Sequence, residues 1–152
     1  MSTVTIDAVI AKQAELTKMI EALQSATSFT YGIPEAMIDL KAGERYAGIV
    51  LSEDGEPAHH LVLLPGEAED VTWEQAKEWA AKQGGDLPTR QEQALLFANL
   101  KSQFKPNWHW SNQAHETNSS WAWYQTFSNG NQTLSSQDYE LRARAVRRLV
   151  IE

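Results

Sequence analysis

Cysteine is absent from this sequence, and its absence limits the chemistry open to the chain. Disulfide bonds, thiolate nucleophiles, zinc–thiolate sites and iron–sulfur clusters are all excluded. The absence also favours a protein that folds without oxidation, in a cytosol or in a particle assembled there. No apolar run approaches the roughly 20 residues of a membrane-spanning helix, so no membrane insertion is expected. Residues 1–5 lack the basic start of a secretory signal peptide, and no signal peptide is predicted.

Basic residues are scarce in the middle of the chain. Residues 35–92 hold thirteen acids and five bases, and the whole chain carries a net charge of −7. An acidic surface repels phosphate backbones, so nucleic acid is not an expected partner. One basic cluster lies later, at Arg142, Arg144, Arg147 and Arg148. We expect this cluster to form a strand that neutralises the acidic middle, with Arg147 on the opposite face from the other three; a nucleic-acid patch is the alternative.

A helix with a narrow apolar stripe is predicted over residues 5–27, where apolar residues recur at alternating spacings of three and four. Thr5 can cap its start. The helix either packs on its own domain or forms a coiled coil with copies of itself, and the narrow seam slightly favours the coiled coil. If the helix forms a homo-oligomer, which we expect to be a trimer, the residues that face its partner helices are Ile6, Val9, Gln13, Leu16, Ile20, Leu23 and Thr27. We call this row of residues the seam. The predicted organisation is an oligomerisation helix over residues 1–28, a connector over 29–44 and one domain over 45–152.

The domain shows an α+β pattern. Two β-rich runs, at residues 46–51 and 59–64, flank an Asp54-Gly55 turn and predict a hairpin. Two short helices follow, and each begins with a capping box, at Thr72 and at Thr89. The Gly84-Gly85 pair suits the end of the first helix. A strand over residues 121–127, a hairpin turn at Asn129-Gly130 and a last strand over 143–151 complete the pattern.

Six landmarks in this order resemble the Lcl C-terminal domain family, whose members are common in phage and prophage proteins. The resemblance covers roughly residues 45–150 and implies a C-type lectin-like fold, with two helices and a small antiparallel sheet, related to the formylglycine-generating enzyme. The landmarks are Val71-Thr72-Trp73-Glu74-Gln75-Ala76, Gly85-Asp86-Leu87-Pro88-Thr89-Arg90-Gln91-Glu92, Trp108-His109-Trp110-Ser111, Ala122-Trp123, Gly130 and Ala143-Arg144-Ala145-Val146-Arg147.

The chain departs from two activities of that superfamily. Its sulfatase-activating enzymes use active-site cysteines, and this sequence has none. Its calcium-dependent lectins use a Glu-Pro-Asn or Gln-Pro-Asp loop and a Trp-Asn-Asp strand. Here the nearest match is Glu56-Pro57-Ala58, which is misplaced, and no Trp-Asn-Asp occurs. Neither sulfatase activation nor calcium-bridged sugar binding is therefore expected.

The histidines do not predict a metal or catalytic centre. His59 and His60 are adjacent, so on a strand they point to opposite faces. His109 and His115 are assigned to one loop, but no third metal ligand can be named there. Ser111, His115 and Asp138 could form a triad on paper, as could residues of many chains this size. We therefore predict no enzyme activity, no metal and no cofactor.

A tryptophan-rich segment is the strongest functional signal, because four of the six tryptophans lie between residues 108 and 123. Strand alternation over residues 121–127 places Trp121, Trp123, Gln125 and Phe127 toward the core and leaves Tyr124 facing outward. Exposed aromatic rings beside amide and hydroxyl groups suit contact with a sugar ring or a protein patch. The predicted ligand-binding residues are Trp108, His109, Asn112, Gln113, His115, Asn118, Tyr124 and Asn131.

The sequence therefore predicts a non-enzymatic, oligomeric binding module. Its phage or prophage setting, as a tail-associated or host-recognition protein in the virion or the host cytoplasm, is implied by the resemblance. The expected partners are copies of itself and a host surface glycan or protein. One alternative is a phage-encoded inhibitor or regulator inside the host, whose acidic segment faces a basic partner. A second alternative is a degenerate relative of an enzyme.

Overall fold

The computed structural model describes residues 5–24 and 28–152. The chain divides into two compact units, residues 1–34 and 35–152. The first unit contains helix α1, Ile6–Gln24, and none of the helix's described side chains is buried. The Thr5 hydroxyl accepts a hydrogen bond from the amide of Ala8 at 3.2 Å, which is the predicted cap. Residues 25–27, including the predicted seam position Thr27, lie outside the described residues.

The second unit is an α+β domain, as predicted. Its helices are α2, Trp73–Lys82, and α3, Arg90–Leu100, followed by a 3-10 turn over Lys101–Gln103. Its strands are β1, Arg45–Leu51; β2, Pro57–Leu63; β3, Ala68–Val71; β4, Trp108–Ala114; β5, Trp121–Thr126; β6, Gln132–Ser136; β7, Leu141–Ala143; and β8, Val146–Val150. Within the described residues, no helix has the length and apolar character needed to cross a bilayer.

The strands of this domain form two sheets rather than the single small sheet that was predicted. One sheet has the antiparallel order β1-β2-β8. The other has the order β3-β7-β4-β5-β6, and its β4–β7 pair is parallel. The predicted last strand over residues 143–151 is divided, because the chain passes from one sheet to the other at Arg144 and Ala145. The prediction that Arg142, Arg144 and Arg148 share one strand face assumed one continuous strand. That prediction was wrong across this break.

Local signals were reliable guides to the helix ends. Both capping boxes are present, with Thr72 bonded to Gln75 and Thr89 bonded to Glu92. Helix α2 ends in a Schellman motif, in which the Gly85 amide donates to the Ala80 carbonyl at 3.1 Å. The preceding residue, Gly84, has φ +84°, the left-handed conformation that this motif requires.

The predicted β1–β2 hairpin is present, and its Gly55 has φ +85°. The β5–β6 hairpin also forms, although its loop spans residues 127–131 instead of a two-residue turn. There Gly130 has φ +82°, and a Cβ added to it would lie 3.0 Å from the ring of Phe97. Both the positive φ and the close Phe97 ring therefore favour glycine at this turn.

Two apolar clusters fill the domain. The first includes Trp73 and Trp110 together with Ala122 and Tyr124 of β5. The second gathers the apolar residues of β1, β2 and α3 around Phe104 and Phe127. The predicted facing of β5 was wrong at its start, where Ala122 and Tyr124 are buried and Trp121 is 41% exposed, whereas Gln125 and Phe127 are buried as predicted.

The arginines neutralise the acidic middle of the chain, which was the favoured prediction. Three of them pair with five carboxylates from residues 35–92. These pairs are Arg142 with Glu67 and Glu69, Arg147 with Glu44, and Arg148 with Asp86 and Glu92. Part of the predicted connector is therefore tied to the domain, since Glu44 and the carbonyl of Asp39 both bind Arg147.

Candidate ligand-binding site

An open pocket of about 320 Å³ lies beside Trp108, the first residue of β4. The Trp108 side chain is 47% exposed. Its ring stacks on that of the buried Tyr124, with centroids 4.6 Å apart and planes inclined by 20°. Burial raises the pKa of the Tyr124 hydroxyl above its usual value, so this ring stays neutral. The stack holds the Trp108 indole in place at the rim of the pocket.

Polar groups surround the indole. The pocket is lined by Asp70, Asn107, Trp108, Glu140, Leu141 and Arg142. Arg142 is held by Glu69 at 3.0 Å and Glu67 at 3.3 Å. Asn107, with its amide oriented so that both polar atoms are satisfied, accepts from Arg142 Nε at 3.0 Å. The pocket therefore combines an aromatic surface, a fixed guanidinium and carboxylate and amide oxygens that can bond to a polar ligand.

Asp70 reaches this pocket through an irregular backbone. It lies in β3 at a break in register with β7, between Ala68 and Val71. It is also the one non-glycine residue with positive φ, 52°, in the described part of the chain. Aspartate tolerates this conformation better than most side chains, and such outliers cluster at functional sites.

Two predicted ligand-binding residues are buried, so their predicted exposure was wrong. Tyr124 is only 6% exposed, because its face of β5 packs into the first apolar cluster. His109 belongs to β4 rather than to a loop, and it is 1% exposed, packed in T-shaped contact against the stacked rings of Phe104 and Phe127. Burial lowers the pKa of His109 to about 4, so the imidazole is neutral and its Nδ1–H donates to the Asn107 carbonyl. Tyr124 still serves the site by supporting Trp108.

Two other predicted residues, Asn112 and the exposed Gln113, bond to the segment that leads into α3. Asn112 donates to Asp86 Oδ2 at 3.1 Å. Gln113 accepts from the backbone amide of Arg90 at 2.7 Å. These bonds fix the end of β4 against the start of α3, and neither side chain lines the Trp108 pocket.

The remaining predicted residues lie on loops and do not join Trp108. His115 Nδ1 accepts from the amides of Thr117 and Asn118, at 3.1 and 2.9 Å. Asn118 in turn accepts from Ser120, so this loop is closed by its own side chains. Asn131 is exposed at the β5–β6 turn. Of the eight predicted residues, the structure brings Trp108 and Tyr124 into contact, and only Trp108 lines the pocket.

Sequence reasoning missed most of the pocket because its parts come from distant segments. Val71 of β3 pairs with Leu141 of β7, and Arg142 of β7 lies beside His109 of β4. This strand order brings Asp70, Trp108 and Glu140 around one opening. No local sequence motif predicts the strand order β3-β7-β4. No sequence pattern marked Asp70 as a binding residue either. Arg142 was noticed, but only as part of the basic cluster.

The histidines and the suspected triad have other partners. His59 Nε2 bonds to Glu92 at 2.7 Å, whereas His60 Nδ1 bonds to the Tyr46 hydroxyl at 2.8 Å. Among the described residues, no three histidine, aspartate or glutamate side chains are grouped to hold a metal ion. Buried Ser111 donates to the carbonyl of Trp123 at 2.7 Å, which directs its hydroxyl into the sheet.

Comparison with known proteins adds no further assignment: no family model matches the chain, and no curated protein matches its sequence. The class that the fold and the site define is an α+β domain of two sheets and two packed helices, with an aromatic-rimmed polar pocket.

Proposed function

We propose that this chain is a non-enzymatic binding protein with a C-type lectin-like domain, which recognises its ligand at the Trp108 pocket. We further propose that α1 forms a coiled coil, expected as a trimer, and that the protein is a tail-associated or host-recognition component of phage or prophage origin. The origin rests on the resemblance to the Lcl C-terminal domain family. The binding role rests on one observation, the half-exposed Trp108 ring held at the rim of a polar pocket.

The Trp108 pocket suits a ligand with an apolar face and polar edges. Because Tyr124 already holds the indole, binding costs little side-chain entropy. The apolar face of a sugar ring can stack on the indole, while its hydroxyls bond to Asp70, Glu140 or Arg142. A pocket of about 320 Å³ is at the small end of ligand sites. We therefore propose a host surface glycan as the ligand, bound weakly at each single site.

Self-association through α1 would strengthen such weak binding. The five apolar seam residues of α1 are between 46% and 79% exposed. An exposed apolar stripe of this kind indicates an interaction surface, and the heptad spacing supports copies of the same helix as its occupants. Gln13 would fix the register of the seam. Joining several sites raises avidity without any new contact at each site.

The inhibitor alternative is less favoured by the charge distribution. That alternative needed the acidic residues 35–92 to face a basic partner. Five of their thirteen carboxylates are already paired with Arg142, Arg147 or Arg148. The remaining carboxylates offer a weaker attraction for a basic surface.

The test is binding of the full chain to a glycan array and to intact bacterial cells. We expect Trp108→Ala to weaken binding by about tenfold or more, as loss of a central aromatic contact does. Trp121→Ala is the matched control, because Trp121 is 41% exposed but does not line the pocket. Equal losses in both variants would contradict the proposed site. A wild-type protein that ignores glycans and cells yet captures a cytosolic protein would favour the inhibitor.

A further inference from the structure

Arg144 differs from the other arginines of its cluster. It is 9% exposed, and in the described part of the chain no carboxylate lies within ion-pair distance of it. Its terminal nitrogens donate to two backbone carbonyls, those of Gln103 and Leu64, the latter at 2.9 Å. Its Nε has no hydrogen-bond partner among the described residues. Arg144 is therefore a buried cation with incomplete hydrogen bonding and no paired anion.

A buried charge without a counter-charge is costly, so this arrangement calls for an explanation. Burial lowers the pKa of the Arg144 guanidinium, while the more distant Glu67 opposes that shift. Glu67 lies within ion-pair distance of Arg142, at 3.3 Å, and not of Arg144. The Phe104 ring, with its centroid 5.2 Å from Arg144 Cζ, adds only a weak cation–π contact. None of these neighbours neutralises Arg144 directly.

Arg144 lines a second pocket, of about 360 Å³, which lies next to the 3-10 turn. Lys105 and Ser102 line the same pocket, and both are exposed. The Glu67 carboxylate lines it as well, and it is paired with Arg142 at 3.3 Å. Two cations, one hydroxyl and one carboxylate that is already paired thus line one opening, and the guanidinium, the ammonium and the hydroxyl can donate hydrogen bonds to an anion. This pocket does not share a lining residue with the Trp108 pocket.

We propose that this second pocket binds a small oxyanion, a phosphate or carboxylate group, between Arg144 and Lys105. The bound anion supplies the counter-charge that Arg144 lacks, and the Ser102 hydroxyl donates a further hydrogen bond. Phosphate and carboxylate oxygens both accept hydrogen bonds from guanidinium and ammonium groups. The site is separate from the proposed glycan site, so it adds a second binding function to the domain.

The test is titration of the full chain with inorganic phosphate and, in a second arm, with acetate, at ionic strength held constant with sodium chloride. Binding is followed by the NMR signals of the Arg144 Nε–H and the Lys105 and Ser102 amides. We expect saturable shifts, and the arm with the lower dissociation constant identifies the source of the oxyanion. Shifts no larger than those caused by sodium chloride alone would overturn the proposal.

Variants separate a site from general charge attraction. Lys105→Gln is expected to raise the dissociation constant about threefold to tenfold, as loss of one charged contact does. Lys101→Gln removes the same charge nearby, where the lysine lies over the Phe97 ring and not in the pocket, and should leave the constant unchanged. Equal effects of the two variants would overturn the site. Trp108→Ala should not affect anion binding, so failure here is distinguishable from failure of the glycan proposal.

Discussion

Single buried polar residues connect the elements of this domain. Glu92, at the start of α3, is fully buried and accepts from Arg148 of β8 at 2.7 and 2.8 Å and from His59 of β2 at 2.7 Å. Burial opposes its charge, but the bonds from Arg148 and from the Thr89 amide outweigh that effect and hold the pKa of Glu92 below its usual value. Such a group stabilises the fold only while all its partners are present.

His109 predicts a pH dependence of stability. Its pKa is lowered from 6.5 to about 4 in the folded domain, mainly by burial. The unfolded chain therefore takes up this proton first as the pH falls, and stability is full above about pH 6.5 and declines toward pH 4. Between pH 6.5 and 4.5 the free energy of unfolding should fall by about 2 kcal/mol through this residue alone.

Urea unfolding at several pH values measures this effect. The wild type should lose stability between pH 6.5 and 4.5, and His109→Gln should be less stable overall but show a flatter profile. The variant removes the titrating group and keeps a polar side chain. An unchanged slope in His109→Gln would show that His109 is not the residue responsible.

At the scale of single residues, the sequence indicated which side chains could bind a ligand better than it indicated which of them are exposed. It singled out Trp108, which is exposed, and also His109 and Tyr124, which are not. Alternation along a strand indicates which side chains share a face. It cannot indicate which face is buried, and in β5 Ala122 and Tyr124 pack into the first apolar cluster while Trp121 is 41% exposed.

Individual elements are specified mainly by their ends. The capping boxes at Thr72 and Thr89 and the hairpin glycines were readable because each depends on a few adjacent residues. Pairing between distant strands depends on contacts that no local motif encodes. This difference explains why the helices were predicted closely and the division into two sheets was not.

Gly85 illustrates a requirement that comes from another element. A Cβ added to Gly85 would lie 2.3 Å from the carbonyl oxygen of Val146 in β8 and 2.7 Å from Leu64 Cδ1. The neighbouring Asp86 bonds to Val146 through both backbone groups, so the two segments cannot separate cheaply. We expect Gly85→Ala to reduce the free energy of unfolding by about 3 kcal/mol or more, measured by chemical denaturation.

Gly84→Ala is the matched control for that substitution. Nothing lies within 4 Å of a Cβ at Gly84, so only its φ of +84° opposes alanine. The expected loss is about 1 kcal/mol. Equal losses at the two glycines would mean that the close approach of Gly85 to β8 does not limit stability.

At the scale of the whole molecule, one chain carries a helix and an α+β domain. Residues 1–34 and 35–152 form separate compact units, and the division into residues 1–28, 29–44 and 45–152 stays a prediction. The oligomer, the ligand class and the phage setting stay predictions. They depend on contacts with other molecules, and a single chain does not contain those contacts.

The coiled-coil proposal predicts that one seam charge dissociates the oligomer. Leu16→Lys places an ammonium at a d position and should convert the oligomer to a monomer of 17.1 kDa, measured by light scattering. Ala14→Lys adds the same charge outside the seam and should leave the mass unchanged. Deletion of residues 1–28 should likewise leave a folded monomer. A monomeric full-length wild type would contradict self-association.

The most direct test of the central claim is the dissociation constant of the monomeric deletion variant for the best array glycan, measured by calorimetry. Because a monomer carries one site, its dissociation constant measures binding at the Trp108 pocket without a contribution from avidity. The account predicts weak but saturable binding that Trp108→Ala reduces by about tenfold or more and Trp121→Ala leaves nearly unchanged. Undiminished binding by Trp108→Ala would contradict the assignment of this pocket as the ligand site.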